Sequence, residues 1–270
     1  MKKLIDFQRE AEAVITKITQ NEYIKDTDNT KYAFRTSSLS LFCPVYLAFN
    51  MIYGKTVKET FMQDFYTESG STVHSVIQKW GPLYGKWKCN KCKKITKGWG
   101  PKTCCNTLKK YIEYSLKYRG LTGHCDGIIK ILKYLFILEI KTIQQEHMAK
   151  MSMPEIHHIK QANIYAVSAN KCLKLPSEII GHIIWYQSRS KHIKNKVFLN
   201  VGVDKKDADK LIDKYNNTLK CIKAFNFKKL KRVCSKPSEA KRRYCHYSNI
   251  CFSPIGIEKH LNSAIKMRRQ

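Results

Sequence analysis

Asp126, Glu139 and Lys141 are the residues of this chain whose types and spacing point most directly to chemistry. Glu139 and Lys141 stand two apart in the apolar run Leu135-Phe136-Ile137-Leu138-Glu139-Ile140-Lys141-Thr142, so in a strand their side chains leave the same face. Asp126 stands in a second such run, Gly123-His124-Cys125-Asp126-Gly127-Ile128-Ile129, and lies close to them if the two runs pair as a hairpin. Charge on a buried apolar sheet is costly unless compensated. Two compensations are open on this pattern. Lys141 can form a salt bridge with one acid at the wet end of the sheet. Alternatively, the carboxylates hold Mg²⁺ or Mn²⁺ with water in the remaining positions, and the lysine orients or activates one of those waters.

Further elements must position these groups. Pro154 and Glu155 suit the start of a helix on which Gln161 and Tyr165, four apart, share a face. By themselves these two read as a surface glutamine and a core tyrosine. Residues 1–28 read as an amphipathic helix through Leu4, Phe7, Ala11, Val14, Ile15 and Ile18, then a polar turn. A serine or threonine among residues 36–40 suits the cap of a helix carrying Leu39 and Phe42. Another helix is expected to start at Gly70 and run through Ile77. Tyr111–Tyr118 reads as a strand that turns at Arg119-Gly120, with Glu113 a candidate outer-shell acid or an extra metal ligand. Glu178–Tyr186 and Val197–Val201 read as third and fourth strands, and Asp204–Phe225 as a helix.

Gly123-His124-Cys125-Asp126, then Glu139-Ile140-Lys141, then Gln161-Ala162-Asn163-Ile164-Tyr165 resembles the three-part signature of the PD-(D/E)XK nucleases, and within them the RecB-like exonuclease branch that includes the CRISPR adaptation nucleases. Each piece alone is weak; all three in order are specific. The resemblance runs from about Arg35 to Cys251. It implies an α/β fold, a central mixed sheet flanked by helices like a restriction-endonuclease core, in one domain over residues 1–270. It implies Asp126, Glu139, the Ile140 backbone carbonyl and His74 as ligands of Mg²⁺ or Mn²⁺. Lys141 positions the attacking water, and Gln161 and Tyr165 shape the site. His74 otherwise reads as a core or capping histidine. His157 and His158 receive no role.

Eleven cysteines, an odd number with one C-x-x-C pair, fit metal ligation better than disulfides. Residues 86–108 interrupt the family pattern. Their Cys89 and Cys92 have the spacing of a zinc knuckle, while Cys104 and Cys105 are adjacent, so both can ligate only on a distorted backbone. A flexible lysine-rich insertion with free thiols is the other reading. Cys43-Pro44 resembles the early cysteine of the iron–sulfur RecB-like nucleases, which joins three late ones around a 4Fe–4S cluster. The late set here is Cys234, Cys245 and Cys251 within residues 228–255, with ten residues between Cys234 and Cys245 where the family has two. Zinc at these four is an alternative. Cys125, Cys172 and Cys221 read as apolar fillers.

The 270 residues carry 50 basic against 21 acidic side chains, a formal charge of +29, which makes nucleic acid the leading partner and an anionic membrane surface the second. Basic runs at 191–196, 228–232, 241–243 and 266–269 fit a groove that tracks a backbone without reading bases. No run reaches the ~20 apolar residues that span a bilayer, and the charged start is unlike a secretory signal. The expected place is the cytosol, or wherever the DNA is, a virus-infected cell included. The expected function is a metal-dependent deoxyribonuclease, an exonuclease on single strands or DNA ends in recombination, repair or replication. Its rivals are a non-catalytic DNA-binding partner in such a complex and an endonuclease of the same fold.

Overall fold

The computed structural model describes residues 22–25, 39, 42–53, 57–189, 194–242, 245 and 247–269. The helix expected over residues 1–28 and the cap expected at 36–40 lie outside these, apart from Leu39 and from Glu22–Lys25, which are extended rather than helical. Those four residues form β1 (Glu22–Lys25), paired antiparallel with β2 (Val57–Thr60); α1 (Pro44–Tyr53) lies between them in sequence and α2 (Phe61–Trp80) follows. The helix expected to start at Gly70 therefore starts earlier, at Phe61.

The cysteine-rich insertion is a small lobe. It holds β3 (Tyr84–Lys88), β4 (Ile95–Trp99), the two-residue strands β5 (Thr103–Cys104) and β6 (Thr107–Leu108), and β7 (Lys110–Ile112). β3 lies between β4 and β7, and β5 pairs with β6. Alternation drives the lobe: Gly85, Trp87 and Cys89 point inward while Lys86 and Lys88 face water. Trp87 is fully buried and meets Tyr111 edge-on at 5.2 Å between ring centroids. Burial of a side chain that size contributes about 1.5–3 kcal/mol.

The strand expected over Tyr111–Tyr118 is broken at Glu113. Its second part, β8 (Tyr114–Tyr118), forms a hairpin with β9 (Leu121–Cys125). Arg119 and Gly120 turn it with φ of 49° and 83°, the left-handed pair that a two-residue hairpin loop demands. β10 (Gly127–Ile131) and β11 (Tyr134–Ile143) form the expected hairpin, with Gly127 opposite Leu138. The chain then crosses through α3 (Gln145–Lys150) and α4 (Ile156–Cys172) to β12 (Ile179–Ser188), which lies parallel to β11, and returns in β13 (Asn195–Val201). A parallel neighbour needs such a crossover. The order is β10-β11-β12-β13.

Asp204 caps α5 (Lys205–Lys223) by accepting from the Asp207 amide at 2.8 Å. A 3₁₀ turn at Phe227–Lys229, then α6 (Pro237–Arg242), α7 (Ser248–Cys251) and α8 (Ile257–Arg269) complete the chain. α1, α5 and α8 share one core through Phe49, Ile212 and Leu261. α4 covers one face of the four-stranded sheet through Tyr165 and Ala166 against Leu135 and Ile137, and the lobe covers the other through Leu83 and Trp87 against Phe136, Leu138 and Ile140. The protein is mixed α/β, with several small sheets and helices.

Candidate functional site

The first strand of the pair breaks at Asp126, between β9 and β10, and the break is what frees its carboxylate. β10 pairs with β11 only as far as Gly127 and Leu138. Beyond that point the Ile140 amide lacks a strand partner on that edge, and Asp126 Oδ2 accepts it at 2.7 Å. The N–H and C=O of one strand residue point to the same edge, so the Ile140 carbonyl shares the edge that faces Asp126. Gly127 follows for a steric reason: a Cβ there would lie 2.9 Å from Leu83 of the lobe.

Glu139 and Lys141 do leave one face of β11. Lys141 Nζ lies 2.6 Å from Glu139 Oε1. Gln161 of α4 joins both: its Nε2 donates to Glu139 Oε1 at 2.7 Å and to the Tyr165 hydroxyl at 3.3 Å, and its Oε1 accepts from Lys141 at 3.2 Å. On α2, His74 Nδ1 meets Asp126 Oδ1 at 3.2 Å. One turn later Gln78, buried, donates to the Asp126 backbone oxygen at 2.9 Å and to Glu113 Oε1 at 2.8 Å. Glu113 thus lies in the outer ring. Gln78 was not singled out in the sequence; its signal is the four-residue spacing from His74. α2 passes the end of β11 closely, since a Cβ on Gly70 would lie 3.1 Å from Thr142 Oγ1.

The salt bridge of the simpler reading is present, but it accounts for one oxygen only. Glu139 is 2% exposed and its Oε2 has no hydrogen-bond partner. Burial first, then the Asp126 charge, push this carboxyl up to about 7, against the pull of Lys141. For His74 burial works downward, but the Asp126 hydrogen bond and the two carboxylate charges outweigh it and raise its pKa. An unpartnered buried acceptor on Glu139, with the Asp126 carboxylate and the His74 imidazole near enough for their charges to act on it, is a donor set that a divalent cation fits. The donor atoms of His74, Asp126 and Glu139 are not all gathered within 4.8 Å of one another; among the described residues the cysteine set of the lobe and one histidine set are.

That cysteine set is Cys89, Cys92, Cys104 and Cys105. Cys92 Sγ is 3.5 Å from Cys104 Sγ, which is 3.7 Å from Cys105 Sγ. The distortion that adjacent ligands require is present: Cys105 and Asn106 have φ of 51° and 58°. Backbone amides, that of Cys92 foremost, draw Cys89 down to about 6, toward the thiolate a metal needs. The four can hold a metal such as zinc, or an iron–sulfur cluster. Cys89→Ser with Cys92→Ser is expected to remove that metal and lower Tm by several degrees, read by metal analysis and calorimetry.

No family model and no curated protein matches this chain. Eleven chains of solved structures do match. One of them, described as "Crystal structure of SSO0001", is 16% identical over 93% of this chain and 96% of that one, with a TM-score of 0.40.

Cys43, Cys234, Cys245 and Cys251 line one small cavity walled by Tyr46, Phe49 and Phe252. Burial, then the neighbouring Cys43, push Cys251 up to about 11. The long spacing after Cys234 does not keep it from the other three. Cys125 is buried and Cys221 half-buried, as fillers should be, but Cys172 is exposed at the end of α4, where its thiol donates to the Lys117 carbonyl at 2.8 Å. Among the described residues no helix is long and apolar enough to cross a membrane.

Proposed function

We propose that this chain is a metal-dependent deoxyribonuclease of the PD-(D/E)XK, RecB-like kind, an exonuclease on single-stranded DNA or duplex ends. The observation that carries the reading is Glu139: one oxygen is tied to Lys141 and Gln161, the other is buried without a partner. In this reading β10–β13 are the central sheet of the nuclease, with α2 and α4 as its flanking helices. Asp126, Glu139, His74 and the Ile140 carbonyl hold Mg²⁺ or Mn²⁺. Such an ion supplies Lewis acidity toward the scissile phosphate and lowers the pKa of an attacking water.

The chain's own groups do the rest. Lys141, fixed between two oxygens, presents an ammonium to the pentavalent charge and to the water. Gln161 bonds both that lysine and Glu139, and Tyr165 holds Gln161. Gln78 fixes the Asp126 backbone so that the carboxylate keeps its direction. For strand placement the reading looks to charge: Lys205, Lys206, Lys210, Lys214, Lys231 and Arg232, with Asp209 and Asp213 among them, line a groove of about 1250 Å³ along α5. The clasp between Cys43 and the late cysteines is read as a 4Fe–4S site and the lobe as a zinc site. The protein acts wherever its DNA is.

End-labelled single-stranded DNA incubated with the protein and Mn²⁺ is expected to shorten progressively, and a chelator to stop it. Cleavage of covalently closed circles at an equal rate would replace the exonuclease with an endonuclease. Binding without any cleavage would leave only a nucleic-acid-binding protein.

A further inference from the structure

A second group of ligating side chains lies at the entry of α4, outside the carboxylate site. Glu155, His157 and His158 each offer one donor atom, and these atoms lie within 4.8 Å of one another. All three are half-buried. Glu155 Oε2 meets His157 Nδ1 at 3.2 Å, and Glu155 Oε1 meets His147 Nε2 of α3 at 2.8 Å. His158 Nδ1 lies 2.7 Å from the hydroxyl of Tyr186, which also accepts the Glu155 amide at 3.1 Å. The Tyr186 contact through Nδ1 leaves Nε2 of His158 for another partner. The two imidazole rings lie 4.0 Å apart between centroids.

We propose that Glu155, His157 and His158 form a second divalent-metal site, for a first-row transition ion such as Mn²⁺ or Zn²⁺. Two imidazoles and one carboxylate are a donor set used for Zn²⁺; the imidazoles favour Zn²⁺ over Mg²⁺ and Ca²⁺, and the carboxylate also suits Mn²⁺. The outer partners have the form such sites take: His147 braces the carboxylate, and a buried tyrosine hydroxyl fixes the ring of His158. The positive end of α4 opposes a cation only weakly against three ligands.

The site has a defined relation to the first. Tyr186 is the register partner of Lys141 on the neighbouring strand, so its side chain leaves the sheet on the face of Glu139 and Lys141. The two sites therefore share one face, a strand apart. The site does not depend on the nuclease reading, because its ligands are separate from Asp126, Glu139 and His74.

The test removes the first site and looks for the second. In full-length protein carrying His74→Ala and Asp126→Ala, Mn²⁺ is expected still to bind, and pulsed EPR of the bound ion should show coupling to histidine nitrogen. Mn²⁺ is the right probe because thiolates take it poorly. Adding His157→Gln and His158→Gln should eliminate both binding and coupling. Absence of bound Mn²⁺ in the first variant, bound Mn²⁺ without nitrogen coupling, or coupling that survives the two glutamines would each overturn the proposal. The first two outcomes need no change at the histidines themselves, so misfolding of the second variant cannot rescue it.

Discussion

Asp126→Asn is expected to reduce DNA cleavage by about a thousandfold or more while leaving Tm within a few degrees and DNA binding largely intact. The reasoning separates the roles of one carboxylate. Its Oδ2 accepts the Ile140 amide at 2.7 Å, a structural bond that the asparagine oxygen can keep. Its Oδ1 faces His74 at 3.2 Å, and the negative charge there is what the cation needs and what asparagine removes. Asp126→Ala should lose both, adding about 1 kcal/mol of instability from the orphaned Ile140 amide. Lys141→Ala should be as inactive for a different reason. It leaves Glu139, 2% exposed, without its counter-charge, and so drives that carboxyl further toward the protonated form. Either variant cutting end-labelled DNA at the wild-type rate sinks the assignment.

Why these residues could be picked out in sequence is a matter of period. Glu139 and Lys141 share a face because a strand repeats every two residues, and Gln161 and Tyr165 because a helix repeats every 3.6. Both regularities are local and survived folding: the 2.6 Å contact and the 3.3 Å bond lie within those spacings. The hairpin of β10 and β11 was legible from two apolar runs. The break at Asp126 was not, because it comes from a side chain taking over a main-chain partner across the hairpin. Gln78 was hidden for the same reason. Its value lies in reaching Glu113 and the Asp126 carbonyl, 35 and 48 residues away, and no local pattern encodes those distances.

Gly70 lies within α2 rather than at its start, where the sequence reading puts it. Its role is close passage past Thr142, which only tertiary contact reveals. The cysteines divide in the same way. Adjacent Cys104 and Cys105 announced a strained backbone, and the left-handed φ at Cys105 and Asn106 supplies it. Cys234 entered its cavity despite an unfamiliar spacing, because chain closure through α1, α7 and α8 rather than local spacing gathers those thiols. Cys172 was read as a filler from its type alone; the C-terminal turn of a helix left it in water. His157 and His158 had no periodic signal, and their meaning depends on Tyr186, brought over them by the crossover from β11 to β12.

The second large effect is a steep pH dependence of metal binding at the carboxylate site. Glu139 is raised to about 7, chiefly by burial and then by Asp126, and His74 is raised by its bond to Asp126. A cation needs the first ionised and the second neutral, so both protons must leave on binding. Where both are protonated, the apparent affinity for Mn²⁺ should rise about a hundredfold per pH unit, then about tenfold with one proton left, and level off once the pH has passed both groups' folded pKa values. The metal-free fold should run the other way. A carboxyl that holds its proton more tightly folded than unfolded stabilises the fold at low pH. That advantage fades as pH climbs from the ordinary carboxylate range through about 7, and the raised His74 loses its contribution over its own folded pKa. Tm in a chelator should therefore fall as pH climbs from the ordinary carboxylate range through about 7, and the gap opened by adding Mn²⁺ should widen over the same interval. Glu139→Gln has no proton to lose and cannot complete the ion's shell, so the Glu139 part of both trends should vanish in that variant and only the part due to His74 should remain. A gap that stays constant with pH in the wild type would mean that the ion binds elsewhere.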